Sequence, residues 1–393
     1  MSVTARLSGA LDALSARHRK RALIPRAGLD FASNDYLGLA GSELLQAAAH
    51  DALSRNVPLG SGGSRLLRGN HAEHQALEEE AALFFGAEAA LFMGGGFQAN
   101  QAIFSTLPAH GDLILHDALV HASAHEGMRL GRAEARAFAH NDLSSARSTL
   151  ARWRAEGGAK REHAQVWIAV ESVYSMEGDV APLKELARFA AEENAVLVVD
   201  EAHATGVFGA RGEGLAHGAA GHLGDHLLTL HTCGKGLGVS GGLICGARVM
   251  IDTLINRARP FIFATAPSPL DAALVRAVLA GLAEHPTRVL AAQARIRHAH
   301  DEAARVLALP DLSSQIIPVV LGTDQAAMQA AQDLQNLGFD IRAIRPPTVA
   351  RGTARLRVSI TGNVTRPQIT QLMEAIAATC PVAHPHPRME PLA

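Results

Sequence analysis

Asp200 ends the apolar run AVLVVD, and Lys235 stands among glycines in HTCGKGLG, just after a second apolar run, LLTL at 227–230. A carboxylate and a primary amine at the ends of two buried strands are the pair that pyridoxal phosphate chemistry needs. A fixed carboxylate keeps the pyridine nitrogen protonated, so the ring withdraws electrons, and a lysine amine joins the aldehyde as a Schiff base. Asp200 is therefore read as the pyridinium partner and Lys235 as the aldehyde carrier. Taken singly, an Asp after a strand also fits a helix N-cap, and a Lys among glycines fits a solvated loop. A nucleotide P-loop needs a glycine five residues before the GK glycine and a hydroxyl residue after the lysine. Thr229 and Gly236 occupy those positions and exclude it.

Further groups fall near the same chemistry. GGGFQAN, Gly94 to Asn100, follows the run AALFM and opens a helix, so its backbone N–H groups and helix dipole could hold a phosphate; tight packing explains three glycines equally well. His121 in LVHASAHEG could lie flat on the pyridine ring, although a solitary histidine is more often structural. His121 and His125 also have helical metal-ligand spacing, but no acidic ligand or HExxH pattern accompanies them, so no metal is expected. Ser175 in SVYSMEGD can bring a hydroxyl to the cofactor's phenolic oxygen or simply cap a turn. Arg345 precedes two prolines in AIRPPTV, and a guanidinium held on a stiff backbone suits bidentate binding of a carboxylate; a surface ion pair is the alternative.

These groups need a scaffold that presents strand ends side by side. From about residue 40 to 265, the apolar runs AALFM, DLILH, VWIAVES, AVLVVD, LLTLHT and GLICG alternate with helical patterns such as PLKELARFAAEEN. That alternation predicts an α/β fold with a mainly parallel sheet covered on both faces and ligands at the carboxyl ends of the strands. LDFASNDYLGLA, 29–40, reads as a strand running into a turn. Beyond APSP a helical pattern runs to about Val306, and QIIPVVL and ARLRVSI bracket a helix, which together predict a small α+β domain. The expected divisions are an N-terminal helix and strand segment over 1–40, a large cofactor domain over 41–270, the small domain over 271–380 and a frayed proline-rich tail over 381–393.

Composition narrows the class. The 393 residues are 48% hydrophobic and 19% charged with a net charge of −2, which predicts a substantial core and gives no footprint for nucleic acid or an acidic membrane. Cys233, Cys245 and Cys380 are odd in number and scattered, as expected of reduced thiols in a cytoplasmic protein. No apolar run reaches membrane-span length. Leu7, Leu11 and Leu14 form a helical stripe with basic residues behind it, read as a docking helix; Asp12 weakens a mitochondrial presequence.

The motifs SNDYLGLA, GSGGSRLLRGN, GGGFQANQA, LVHAS, SVYSMEGD, VVDEAHATGVFG, HTCGKGLGVSGG and RLRVSITG occur together in this order, between about 30 and 365. The sequence thereby resembles the α-oxoamine synthases, of the fold-type I class of pyridoxal phosphate enzymes. The resemblance implies a homodimer with its active site at the subunit interface. It gives Lys235 the Schiff base, Asp200 the pyridinium, His203 and Ser175 the phenolic oxygen, and His121 the ring face. Gly96, Phe97 and Thr232 match phosphate-side positions, Thr265 matches a threonine that reaches the phosphate across the dimer, and Asn34 lies in a substrate-proximal turn. FAT replaces the family's frequent serine-threonine pair, and Cys233 precedes GK; neither removes a catalytic group. Members join alanine to pimeloyl, glycine to succinyl or acetyl, or serine to palmitoyl thioesters. The Arg345 context resembles the member of the biotin pathway, which uses L-alanine with pimeloyl-CoA or a pimeloyl-carrier protein. Another acyl condensation, or a non-catalytic partner subunit on the same scaffold, are the alternatives.

Overall fold

The computed structural model describes residues 1–157 and 164–380; the tail expected over 381–393 lies outside them. The chain divides into two compact units. Among the described residues, the larger holds those within 37–175 and 180–293, and the smaller holds 1–36, 176–179 and 294–380.

Strand β1 (Leu29–Asp30) belongs to the smaller unit. The larger carries β2 (Ala89–Met93), β3 (Leu113–Asp117), β4 (Glu134–Phe138), β5 (Val166–Glu171), β6 (Val196–Asp200), β7 (Leu227–Thr232) and β8 (Gly242–Gly246). They form one sheet in the order β2-β8-β7-β6-β5-β3-β4. Pairing is parallel from β4 to β7, and only β8 runs antiparallel to its neighbours. Every residue of β2, β3, β5 and β8 is buried, the pattern of a sheet covered on both faces, so these segments read as unbroken apolar runs. Because β5, β6 and β7 are parallel, Glu171, Asp200 and Thr232 all close strands on one edge of the sheet. The edge strand β4, EARAF, has no apolar run to betray it. Its exposed Glu134 and Ala135 face solvent, and charge on an edge discourages further pairing.

In the smaller unit β9 (Ile316–Gly322), β10 (Phe339–Asp340), β11 (Arg342–Ile344) and β12 (Ala354–Ser359) complete the strands. β11, β12 and β9 form an antiparallel sheet, while β1 pairs with β10 in parallel. The strand expected to run into a turn within 29–40 is the two-residue β1. The Asp30 carboxylate accepts from the Ser33 N–H at 2.9 Å and the Ser33 hydroxyl at 2.6 Å, and this side-chain turn ends the strand at once. The single long helix expected past APSP is two, Pro269–Glu284 and Thr287–Leu307, broken where Pro286 cannot continue the ladder. The N-terminal helix Val3–Ala16 buries no residue, and Leu7, Leu11 and Leu14 lie exposed. No helix among the described residues is long and apolar enough to cross a membrane.

Candidate active site

Lys235 follows β7 in a glycine turn, and its Nζ lies 2.8 Å from Nε2 of His203. His203 is buried and sits three residues beyond Asp200, in the loop that leaves β6. Two parallel neighbouring strands thus deliver an amine and an imidazole to one point, which is why residues 32 apart in sequence meet.

Asp200 is fixed on both oxygens. Its Oδ1 accepts from the Ala202 N–H at 2.9 Å, and its Oδ2 accepts from Asn100 Nδ2 at 2.8 Å. The same Asn100 amide donates to Ser123 Oγ at 2.9 Å, and Ser123 Oγ lies 2.8 Å from Nδ1 of His121. His121 caps the helix Ala122–Leu130 by accepting from the Ser123 N–H. His121 keeps an exposed surface, yet desolvation by the surrounding protein holds its pKa below the ordinary value. The Asp200 charge opposes the shift and the Lys235 charge adds to it, so His121 lies within electrostatic reach of both the carboxylate and the amine. Asn100, His121, Glu171 and Asp200 line this cleft together with Phe104 and Val120.

The turn after β2 meets the start of β8 closely. A Cβ on Gly242 would stand 2.8 Å from the Gly95 carbonyl carbon, so the glycines let the two backbones meet. The helix Gly96–Thr106 starts here, and Gly96 lies against Thr232, whose hydroxyl would be 3.4 Å from a Cβ placed on Gly96. A helix N-terminus beside a threonine hydroxyl is a donor set that phosphate takes. Phe97, next along, is half exposed. Ser175 is buried just past β5, its N–H donating to Glu171 Oε2 at 3.1 Å. Thr265 is exposed in the segment after Ile262, which the Ala266 N–H ties to the Gly63 carbonyl at 2.9 Å.

Asn34 and Arg345 belong to the smaller unit. Asn34 Oδ1 accepts from both terminal nitrogens of Arg357 at 3.1 Å and from the Tyr36 hydroxyl at 2.9 Å. Arg345 donates to the His18 carbonyl. Partial burial and the nearby Arg21 and Arg19 charges disfavour its charged form, while Asp324, ion-paired with Arg19 at 2.7 Å, opposes them. Asn100 and Ser123 are the groups that sequence reasoning did not single out. Both lie inside quoted motifs, but no spacing rule links Asn100 to an aspartate 100 positions downstream.

The profile described as "Aminotransferase class I and II" matches residues 26–376. The chain belongs to that family. It is 39% identical over 393 residues to 8-amino-7-oxononanoate synthase of Anaeromyxobacter dehalogenans (strain 2CP-1), covering 94% of each chain. Among solved structures, 8-amino-7-oxononanoate synthase from Francisella tularensis matches with a TM-score of 0.72 and 28% identity over 89% of this chain and 97% of that one. Serine palmitoyltransferase from S. paucimobilis, with bound PLP, matches with a TM-score of 0.85 and 26% identity over 96% and 98%. The fold is thus that of the fold-type I pyridoxal phosphate enzymes, and pyridoxal phosphate is the cofactor of this family member. The residues present fit it: a carboxylate with both oxygens anchored, a lysine amine on an imidazole, a second imidazole linked through Ser123 to the amide that holds the carboxylate, and a helix N-terminus beside a hydroxyl.

Proposed function

We propose that the chain joins L-alanine to a pimeloyl thioester, of coenzyme A or a carrier protein, giving 8-amino-7-oxononanoate, carbon dioxide and free thiol in biotin biosynthesis. The observation that carries the reading is the convergence of Lys235, His203, His121 and an anchored Asp200 on one edge of the sheet, in a chain 39% identical to synthases of that name. Pyridoxal phosphate, when bound, supplies the electron sink that stabilises negative charge on the amino acid's Cα. Asp200 would hold a proton on the pyridine nitrogen, with the Asn100 amide fixing the carboxylate's orientation. Lys235 would hold the cofactor's aldehyde, and its amine, when free, would act as general base at the Cα proton of alanine. A new Cα–C bond then forms to the thioester carbonyl, the C–S bond breaks and the thiolate leaves with a proton. The β-keto carboxylate loses carbon dioxide, and a proton returns to Cα. His203 and Ser175 would steady the phenolic oxygen, His121 would cover the ring face, and Gly96, Phe97 and Thr232 would hold the phosphate.

Arg345 and Asn34 are assigned to substrate, Arg345 to the distal pimeloyl carboxylate. The active form is a homodimer, with Thr265 of each subunit reaching the other's phosphate. If so, mixing Lys235→Ala with Thr265→Val subunits restores activity through hybrids with one intact site; no recovery would refute the shared site. Three buried cysteines, none in a disulfide, support a cytoplasmic location. A second reading, serine with a long-chain thioester, is favoured by the higher TM-score to serine palmitoyltransferase. Titration of the cofactor's absorption with L-alanine, glycine and L-serine separates the two: a change elicited by alanine supports the first, and one elicited only by serine supports the second.

A further inference from the structure

His231 lies in β7 four residues before Lys235, 2% exposed, its ring stacked on Phe85 with centroids 3.6 Å apart and planes 17° from parallel. Both ring nitrogens are engaged: Nδ1 lies 2.9 Å from Thr205 Oγ1, and Nε2 lies 2.9 Å from Thr229 Oγ1. The hydroxyl geometry fixes the tautomer. Thr205 gives its only hydroxyl hydrogen to the Glu201 carbonyl at 2.8 Å, so its oxygen must accept from Nδ1–H. Nε2 therefore carries no hydrogen and accepts from the Thr229 hydroxyl. Complete burial pushes the His231 pKa down to about 3, in keeping with a neutral ring.

The loop held by this ring is the one that carries His203. Thr205 also donates its N–H to the Glu201 carbonyl, closing a turn over residues 201–205. That turn packs on the backbone next to Lys235: a Cβ on Gly236 would drive into the Thr205 carbonyl oxygen. Where the β6–β7 pairing ends, with the Glu201 N–H on the Leu230 carbonyl at 2.7 Å, the two chains stay joined at Thr205, which meets both His231 and Gly236, and at the Lys235–His203 contact.

We infer that His231 is a positioning residue for the Lys235–His203 pair, a neutral Nδ1–H imidazole that clamps the His203 loop to the strand bearing the lysine. The inference rests on the functional reading above. Its test uses four single variants of the holoenzyme and the His231→Phe/Thr205→Val double: His231→Phe keeps the stack but loses both polar contacts, and His231→Asn keeps a donor near the Nδ1 position. Thr205→Val cuts the clamp at its other end without touching the ring, and Thr205→Ser restores the hydroxyl. The readouts are kcat, KM for L-alanine and the pH midpoint of the Lys235-linked cofactor absorption. His231→Phe and Thr205→Val should each lower kcat roughly 10-fold or more, the scale of lost support around a reacting group. KM should stay within about twofold, the absorption midpoint should move the same way in both, and the double variant should be no worse than either single one. His231→Asn and Thr205→Ser should recover most of each loss. Variants that lower only the melting temperature, leaving kcat and the midpoint at wild-type values, would overturn the inference and reduce the clamp to a packing device. A wild-type chain that shows no lysine-linked absorption with pyridoxal phosphate would overturn the functional reading itself, and the inference with it.

Discussion

Replacing Asn100 by alanine should cripple the enzyme although Asn100 is given no chemical step. The side chain is 3% exposed and makes two hydrogen bonds, one to Asp200 Oδ2 at 2.8 Å and one to Ser123 Oγ at 2.9 Å. A hydrogen bond to an ionised group contributes about 1.5–3 kcal/mol, and losing it frees the carboxylate to turn away from the pyridine nitrogen. If that loss falls wholly on the transition state, kcat drops roughly 10- to 150-fold. Asn100→Asp tests charge rather than orientation. Two carboxylate oxygens 2.8 Å apart repel by about 6 kcal/mol at an effective dielectric of about 20. One of the pair must then keep a proton near neutrality, so the residual activity should rise toward higher pH. Initial rates of thiol release from pimeloyl-CoA with saturating L-alanine measure both variants, alongside the Kd for pyridoxal phosphate. An Asn100→Ala enzyme with kcat within twofold of wild type would refute the claim that this amide orients Asp200.

Other outcomes follow from the same geometry. Lys235→Ala should lose turnover by roughly 10³-fold or more while still binding pyridoxal phosphate non-covalently, checked by rate and by absorption. Arg345→Ala should raise KM for the pimeloyl thioester roughly 10-fold or more and leave KM for alanine nearly unchanged; equal changes in both would remove the arginine from the pimeloyl carboxylate. His74 is fully buried, accepts from the His71 N–H at 3.1 Å and contacts the Pro267 carbonyl at 2.9 Å, and burial with the nearby Arg65 charge lowers its pKa to about 4. A depressed histidine contributes stability that is present above its ordinary 6.5 and is lost as pH falls toward about 4, because the unfolded chain takes up the proton first. His74→Gln, whose amide also suits the helix N-terminus, should therefore flatten the fall of Tm across that window; an unchanged slope would contradict the assignment.

Much of this fold could be read in the chain because a doubly covered parallel sheet writes itself as apolar runs. β2, β3, β5, β6, β7 and β8 all coincide with runs visible in the sequence, whereas β4, a polar edge strand, has none. Helix interruption at Pro286 and the two-residue β1 were harder to see, since a proline and an Asx turn act locally against a continuing pattern. Asp200 stood out because it ends an apolar run, and Lys235 because it follows one among glycines. Asn100, Ser123 and His231 did not, because their roles depend on partners 23 to 100 residues away that only the sheet brings close. His231 was hidden further by lying inside an apolar strand, where its two threonine partners make a polar ring tolerable.

The most direct test of the central claim is product formation. The purified chain with pyridoxal phosphate, L-alanine and pimeloyl-CoA would be assayed by mass spectrometry for 8-amino-7-oxononanoate, with Lys235→Ala in parallel and glycine or L-serine in place of alanine. The account predicts the alanine-derived amino-ketone from the wild-type chain, with one free thiol and one carbon dioxide released per product, and none from Lys235→Ala. Product of equal yield from Lys235→Ala, or condensation with glycine or serine but not with alanine, would contradict it.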